Sequence, residues 1–219
     1  MRPVWCVCLI LGLSAFLLVV MVAFSGFVLY SEPCLRCMRD GTASGCEELL
    51  EWLHKATVEG REDDPLYVLM YGTLLGAVRE GSVISHDGDV DLSVLPGRMP
   101  ELVSLIRQHV PRVKVFVSRS GDFARVCYQP EDPSQPLVPA DLFSIAPTSG
   151  NSTRWEETNK MMRLMNSHSW VQTEELFPVK LQALSGRQFW VPNNSEAILE
   201  RLYGDWRTPR QSKKPTPVT

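Results

Sequence analysis

The segment YGTLLGAVR at residues 71–79, followed by DGDVDL at residues 87–92, decides the fold of this chain. The apolar run Leu66–Met70 predicts a buried strand, and Gly72 and Thr73 then turn the chain into a helix. We expect Thr73 to cap this helix and Gly72 to let a ligand approach the backbone. Because the first amides of a helix are unpaired and its dipole favours anions, this turn predicts a phosphate site.

The second segment places carboxylates on a strand. Asp89 and Asp91 stand two residues apart in the strand-like run that continues to Leu95, so both side chains project from one face. Asp141 lies in a similar apolar setting, and carboxylates there are costly to bury without a cation or strong hydrogen bonds. The three are therefore predicted to hold Mg²⁺ or Mn²⁺ against a nucleotide's phosphates. Asp87 is either an outer ligand or a turn residue.

Together these segments resemble the LicD/fukutin-related family of phosphotransferases, whose signature joins Gly-Thr-Leu-Leu-Gly-x-x-Arg to Asp-x-Asp-hydrophobic-Asp. The resemblance runs from Glu47 to Pro209 and continues in PADLFSI at 139–145, VP at 191–192 and LYGDW at 202–206. It implies an α/β fold, a nucleotidyltransferase-like mixed sheet with flanking helices. It also implies transfer of a phospho-alcohol, such as phosphocholine or ribitol phosphate, from a CDP-activated donor to a glycan hydroxyl.

The chain departs from the family pattern beside the first carboxylate. Members usually carry Pro-Trp there and a bulkier residue between the first two Asp positions, whereas this chain has Ser85, His86 and Gly88. Asp89 and Asp91 remain, so the change affects the expected shape of the substrate site more than metal binding. His86 is either a loop residue or a donor-binding residue.

The mechanism implied by the resemblance is an in-line displacement at the donor's phosphorus with CMP departing. Asp89 and Asp91 hold the metal, and Asp141 either accepts the hydroxyl proton or bridges a second metal. Two other functions stay open: a nucleotidyltransferase that moves the NMP itself, and a non-catalytic lumenal protein that binds glycan or an enzyme. Three cationic side chains are either phosphate clamps or surface ion pairs: Arg79, Arg125 and Lys180.

The N-terminal segment predicts a membrane anchor. No charged side chain lies between Pro3 and Ser31. A helix over residues 4–30 would span roughly 40 Å, more than the ~30 Å hydrocarbon layer. A cleaved signal peptide is the alternative, since small residues occur at 23–25. The predicted organisation has a cytosolic stretch at 1–3, the anchor at 4–30, a stalk at 31–45, the catalytic domain at 46–210 and a disordered tail at 211–219.

Two features place the predicted domain in the lumen of the endoplasmic reticulum or Golgi. Sequons at Asn151 and Asn193 predict glycosylation, with Asn151 favoured because it lies in a polar segment taken as a loop. Cysteines gathered beyond the anchor fit an oxidising compartment. Structural disulfides are predicted among four of them, with a zinc site as the alternative because of the C-x-x-C spacing: Cys34, Cys37, Cys46 and Cys127.

Charge and periodicity complete the predictions. The net charge is −3 with acids and bases interspersed, which argues against a nucleic-acid partner. The expected partners are the membrane and a glycan acceptor, and a homo-oligomer or an association with other glycan-modifying enzymes is compatible with the sequence. Helices are predicted at 46–56, 99–109 and 196–203 and in the Met-rich stretch 155–165, and strands at 112–118 and 123–129.

Overall fold

The computed structural model describes residue 37 and residues 41–165 and 169–209. Contacts divide the chain after Met38, and everything from residue 41 onwards belongs to the second unit. The predicted anchor and the predicted tail lie outside these residues. The predicted stalk before residue 41 also lies outside them, apart from residue 37. Within the described ranges, no helix is both long enough and apolar enough to span a membrane.

A mixed sheet of seven strands forms the centre of the second unit. Five strands follow the order β1-β2-β5-β4-β3, while β6 pairs with the far half of β5, and β7 pairs with β6. Among the strands of the described residues, β2 and β5 run parallel to each other and the other neighbours in this sheet are antiparallel. The strands are β1 (Tyr67–Leu69), β2 (Val90–Val94), β3 (Val113–Val117), β4 (Phe123–Tyr128), β5 (Val138–Thr148), β6 (Asn151–Glu157) and β7 (Val171–Gln172).

Helices and one separate hairpin cover the sheet. The amphipathic α1 buries Leu49, Leu50 and Leu53 and packs on α3, whereas α2 packs on α6 and on β2. The hairpin of β8 and β9 turns at Ser185 and Gly186, both with positive φ, as a two-residue hairpin turn requires. The elements are α1 (Ala43–Thr57), α2 (Tyr71–Arg79), α3 (Met99–His109), α4 (Lys160–Met165), α5 (Thr173–Leu176), β8 (Lys180–Leu184), β9 (Arg187–Val191) and α6 (Ser195–Tyr203).

The predicted mixed α/β class is confirmed, and most predicted elements match within a few residues at each end. The stretch 155–165 differs, because Trp155 lies in β6 and the helix begins only at Lys160. Asn151 also starts β6, although it was assigned to a loop. The reason is tertiary: β6 folds back on β5 after the turn at Gly150, and ladder hydrogen bonds to an apolar strand outweigh the weak strand signal of its polar sequence.

Candidate functional site

The site begins at the turn between β1 and α2. Tyr71, the first helical residue, has a φ of 48°, a left-handed conformation that costs an ordinary residue free energy. Two side-chain contacts hold it there. Its ring packs edge-on against Phe143 at a centroid distance of 5.7 Å, and its hydroxyl donates a hydrogen bond to Glu157. The orientation of the turn is therefore fixed from the neighbouring strands.

Thr73 has a different role from the predicted one. The N-cap residue is Met70, whose side chain makes no capping hydrogen bond. Thr73 is the third helical residue, and its buried hydroxyl instead accepts a hydrogen bond from the backbone amide of Asp91 at 2.9 Å. The prediction of Thr73 as the cap is wrong, because the helix starts two residues earlier and directs this side chain towards β2.

Gly72 lies directly against Asp87. A Cβ atom built on Gly72 would be 2.3 Å from Oδ2 of Asp87, so only glycine leaves room for this carboxylate beside the first turn of α2. The backbone amide of Asp87 donates to the carbonyl of Ile84 at 2.8 Å, which makes Asp87 a turn residue. Asp87 thus belongs to a turn and also places a negative charge at the positive end of the helix.

Three neighbouring strands carry a row of charged side chains across the sheet. Asp91 of β2 is the register partner of Asp141 of β5, and Asp141 is in turn the register partner of Arg125 of β4. Residues in register on adjacent strands project from the same face. Arg125 grips the carboxylate with two bonds, from Nε to Oδ1 and from Nη2 to Oδ2, each 2.6 Å long. Across the three strands, the row therefore consists of two carboxylates followed by one guanidinium.

The crowding of negative charge shifts the titration of this row. Burial raises the pKa of Asp91 well above its usual value, and the charges of Asp89, Asp141 and Asp87 raise it further. Burial also raises the pKa of Asp141, although its bonds to Arg125 oppose that rise. The carboxylates are thus close enough to destabilise one another's charged forms, which is the electrostatic condition that a bound cation relieves.

Two residues that the sequence analysis missed complete the surroundings. Glu157 is only 2 % exposed, and its charge contributes to the raised pKa of Asp91. The pKa of Tyr203 in α6 is raised by burial and then by the acidic residues, with Arg79 opposing the rise. Nothing in the local sequence marks Glu157, because the fold-back of β6 brings it to the site. Tyr203 had a signal, since it lies in the LYGDW segment at 202–206.

The other predicted donor-binding residues are more dispersed. Arg79 ends α2, where it pairs with Glu80 and donates to the carbonyl of Trp206 at 3.2 Å. His86 is exposed in the loop before Asp87. Lys180 donates to the carbonyl of Asn193 at 2.9 Å. Arg125 therefore contacts the acidic row directly, whereas Arg79 and Lys180 bind Glu80, Trp206 and Asn193.

The donor set suits a hard divalent cation in chemistry but is not assembled as a closed site. Asp89 and Asp91 are half-buried oxygen donors in a field of like charge. However, no group of three or more His, Cys, Asp or Glu side chains within 41–165 and 169–209, or including residue 37, is arranged to hold a metal ion. Asp141, the predicted third ligand, is bound by Arg125. The residues fit Mg²⁺ or Mn²⁺, with Asp141 engaged elsewhere.

Cysteines and sequons lie apart from the row. Cys37 and Cys127 are each disulfide-bonded, whereas Cys46 faces the core from α1 and is not in a disulfide, contrary to the prediction for all four cysteines. Cys34 lies outside the described residues. Asn151 is exposed, whereas the side-chain amide of Asn193 donates to the carbonyl of Glu174 at 2.9 Å.

The structure thus combines a mixed sheet, adjacent carboxylates on parallel strands and a helix start that contains Gly72. The chain belongs to the LicD/FKTN/FKRP family, whose nucleotidyltransferase domain matches residues 66–194. The match includes α2, the acidic row, Arg125 and Glu157, but ends before Tyr203. No curated protein matches the chain. Membership indicates a transferase of a glycan-modifying, phosphotransferase-like family.

Proposed function

We propose that this protein is a metal-dependent phosphotransferase that moves a phospho-alcohol from a CDP-activated donor to a glycan hydroxyl in the secretory lumen. The observation that carries the proposal is the register pairing of Asp91 with Asp141 on parallel strands, beside the first turn of α2. That pairing aligns two carboxylates next to the start of a helix, which suits a phosphate group that is bound on one side and attacked on the other.

Each part of the site has a task in this reaction. The first turn of α2 would bind donor phosphate through its amides, beside the carboxylate of Asp87 that lies against Gly72. Asp89 and Asp91 are the residues that would hold Mg²⁺ or Mn²⁺, which supplies positive charge to the donor's pyrophosphate. Asp141 stands next to Asp91, within the row that faces the acceptor hydroxyl or the cation. Thr73 and Glu157 fix the position of these groups through Asp91 and Tyr71.

The lumenal location rests on the sequence. The apolar segment at 4–30 supports a single-pass anchor, and the sequons support exposure of the domain to the glycosylation machinery. The endoplasmic reticulum and the Golgi both provide glycan acceptors and the oxidising conditions in which disulfides such as those of Cys37 and Cys127 persist.

The decisive experiment identifies the nucleotide that is released. The purified full-length chain is incubated with CDP-, UDP- and GDP-linked donors, glycan acceptors and Mn²⁺ or Mg²⁺. We expect CMP from a CDP-linked donor, a dependence on the cation, and loss of turnover in Asp91→Asn. The exposed Asp63 provides the matched control, and Asp63→Asn should retain full turnover.

Other products would identify other functions. Transfer of NMP to the acceptor with release of the remaining phosphate group would show a nucleotidyltransferase. If no donor turns over with either cation, while the chain binds glycan, the protein is a non-catalytic binding partner. Equal turnover by Asp91→Asn and the wild type would contradict the assignment of the site.

A further inference from the structure

Asp141 was predicted to be the third metal ligand, but its carboxylate is bound by Arg125. Both oxygens of Asp141 accept from the guanidinium at 2.6 Å, and the two side chains are only 23 % and 17 % exposed. Two parallel bonds of this kind form the strongest carboxylate contact that a single side chain offers. Partial burial also keeps the pair from being screened by solvent as a surface ion pair would be.

This contact disfavours the binding of a divalent cation to Asp141 in two ways. The fork of Arg125 takes two of the roughly four lone-pair positions of the carboxylate. Its positive charge also repels a second cation approaching the same oxygens. Asp91, one strand away, has no such partner among the described residues, and its charge is opposed by Asp89 and Asp141. The two neighbouring carboxylates therefore differ. Arg125 balances the charge of Asp141, whereas no cationic side chain of the described residues binds Asp91.

We propose that Arg125 and a divalent cation compete for Asp141, and that the guanidinium displaced by the cation binds the donor's phosphates. The proposal rests on the proposed function and adds a residue to it. Arg125 is two strand positions from Asp91, roughly 10 Å at the usual strand spacing, so a phosphate bound near Asp91 is within reach of the extended side chain. Arg125 thereby stabilises the metal-free protein and later neutralises the substrate.

Metal binding without any donor tests the competition. Mn²⁺ binding by the full-length chain is measured by calorimetry and by the EPR signal of free Mn²⁺. Arg125→Lys keeps the charge but loses the fork, so we expect Mn²⁺ to bind roughly three- to tenfold more tightly than in the wild type. If only net charge matters, Arg125→Lys will bind Mn²⁺ as the wild type does, and that result overturns the proposal.

A double-mutant cycle identifies Asp141 as the contested group. In an Asp141→Asn background the competition is absent, so Arg125→Lys should no longer change Mn²⁺ affinity. Arg112, the residue before β3, is the control, because it binds Glu48 of α1 at 3.0 Å, away from the acidic row, and Arg112→Lys should have no effect. An equal gain from Arg125→Lys with and without Asp141 contradicts the proposal.

Nucleotide binding tests the second half of the proposal. With saturating Mn²⁺, CDP should bind at least tenfold more weakly to Arg125→Met than to the wild type, with Arg125→Lys in between. Tighter Mn²⁺ together with weaker CDP is the expected pattern. Weaker Mn²⁺ binding in Arg125→Met would make Arg125 a purely structural support. If the wild type binds no Mn²⁺, the proposed function and this inference both fail, whereas Mn²⁺ binding that is insensitive to Arg125 overturns the inference alone.

Discussion

The hydroxyl of Thr73 accepts a hydrogen bond from the backbone amide of Asp91 at 2.9 Å, which fastens the first turn of α2 to the strand that bears the carboxylates. The carbonyl of Asp91 accepts from the amide of Met70 at 3.1 Å, so both backbone groups of Asp91 bind to the same turn. The first turn of α2 and strand β2 are therefore joined by two hydrogen bonds through Asp91, which fixes the position of its carboxylate relative to the helix start.

Replacing Thr73 tests this attachment. Thr73→Val keeps the shape but removes the acceptor and leaves the amide of Asp91 unpaired, so we expect a loss of about 1–3 kcal/mol in the free energy of unfolding. Urea titration of the metal-free protein measures the loss. Thr73→Ser keeps the hydroxyl and serves as the control, with a smaller loss. Equal stability of the wild type and Thr73→Val would show that the contact contributes nothing.

Gly72 and Asp87 form a second testable pair. Gly72→Ala places a methyl group 2.3 Å from Oδ2 of Asp87, so either the helix start or the carboxylate must move. We expect a lower melting temperature and weaker CDP binding. Adding Asp87→Ala removes the obstructing carboxylate, and the double variant should regain most of the lost melting temperature. If the double variant is as unstable as Gly72→Ala, the clash lies elsewhere.

The raised pKa of Asp91 predicts how stability depends on pH. Between the ordinary pKa of an Asp, about 3.9, and its raised folded-state pKa, Asp91 holds its proton more in the folded chain than in the unfolded chain. The metal-free protein should therefore lose stability as the pH rises through this window. Asp91→Asn should flatten the dependence and unfold at a higher temperature at neutral pH.

Calorimetric melting of both proteins from pH 4 to 8 checks this slope. Mn²⁺ with CDP should raise the melting temperature of the wild type at neutral pH and leave Asp91→Asn nearly unchanged, because the cation stabilises the charged carboxylate. Asp63→Asn, an exposed control, should follow the wild type. A flat pH profile of the wild type would show that the carboxylates do not destabilise one another.

The sequence predicted those parts of the molecule whose cause is local. Helix α3 has the predicted bounds, and β2 (Val90–Val94) lies within the strand-like run that was predicted to continue to Leu95. The pairing of Arg125 with Asp141 and the position of Glu157 depend on strand register between segments far apart in the chain. Register is set by the whole sheet, so neither this pairing nor the place of Glu157 could be predicted from the local sequence.

Substitutions of Glu157 test whether a residue that the fold brings to the site from a later segment affects the stability of the protein. Its carboxylate accepts from the hydroxyl of Tyr71, and its charge opposes that of Asp91. Glu157→Gln keeps an acceptor and removes the charge, so the metal-free protein should be as stable as the wild type or more stable at neutral pH. Glu157→Leu removes the acceptor of the Tyr71 hydroxyl, which keeps its hydrogen bond with Ser169, and should lose about 1–3 kcal/mol in the free energy of unfolding.

A double-mutant cycle with Tyr71→Phe isolates the contact. Once the hydroxyl is gone, Glu157→Leu should be less harmful than it is in the wild type, and urea titration of the four proteins gives the coupling. Additive losses would show that Glu157 acts on some other group. Weaker CDP binding in Tyr71→Phe without a large loss of stability would indicate that the contact between Tyr71 and Glu157 positions the first turn of α2.

The two sequons offer different targets to an oligosaccharide transferase, provided that the domain is lumenal as proposed. Asn151 is exposed beside the turn between β5 and β6, and its contacts with Thr153 at 3.1 and 2.8 Å engage only the amide oxygen. The amide nitrogen of Asn193, the atom that a glycan would modify, instead donates to the carbonyl of Glu174 at 2.9 Å. We therefore expect the glycan at Asn151.

In microsomes, Asn151→Gln should remove most of the mobility shift that glycosidase treatment abolishes, and Asn193→Gln should leave it in place. A domain that carries no glycan and is digested by protease outside sealed microsomes would contradict the lumenal location. A shift lost only in Asn193→Gln would instead show that Asn193 is glycosylated before this region folds, because the hydrogen bond to Glu174 must be absent when the glycan is attached.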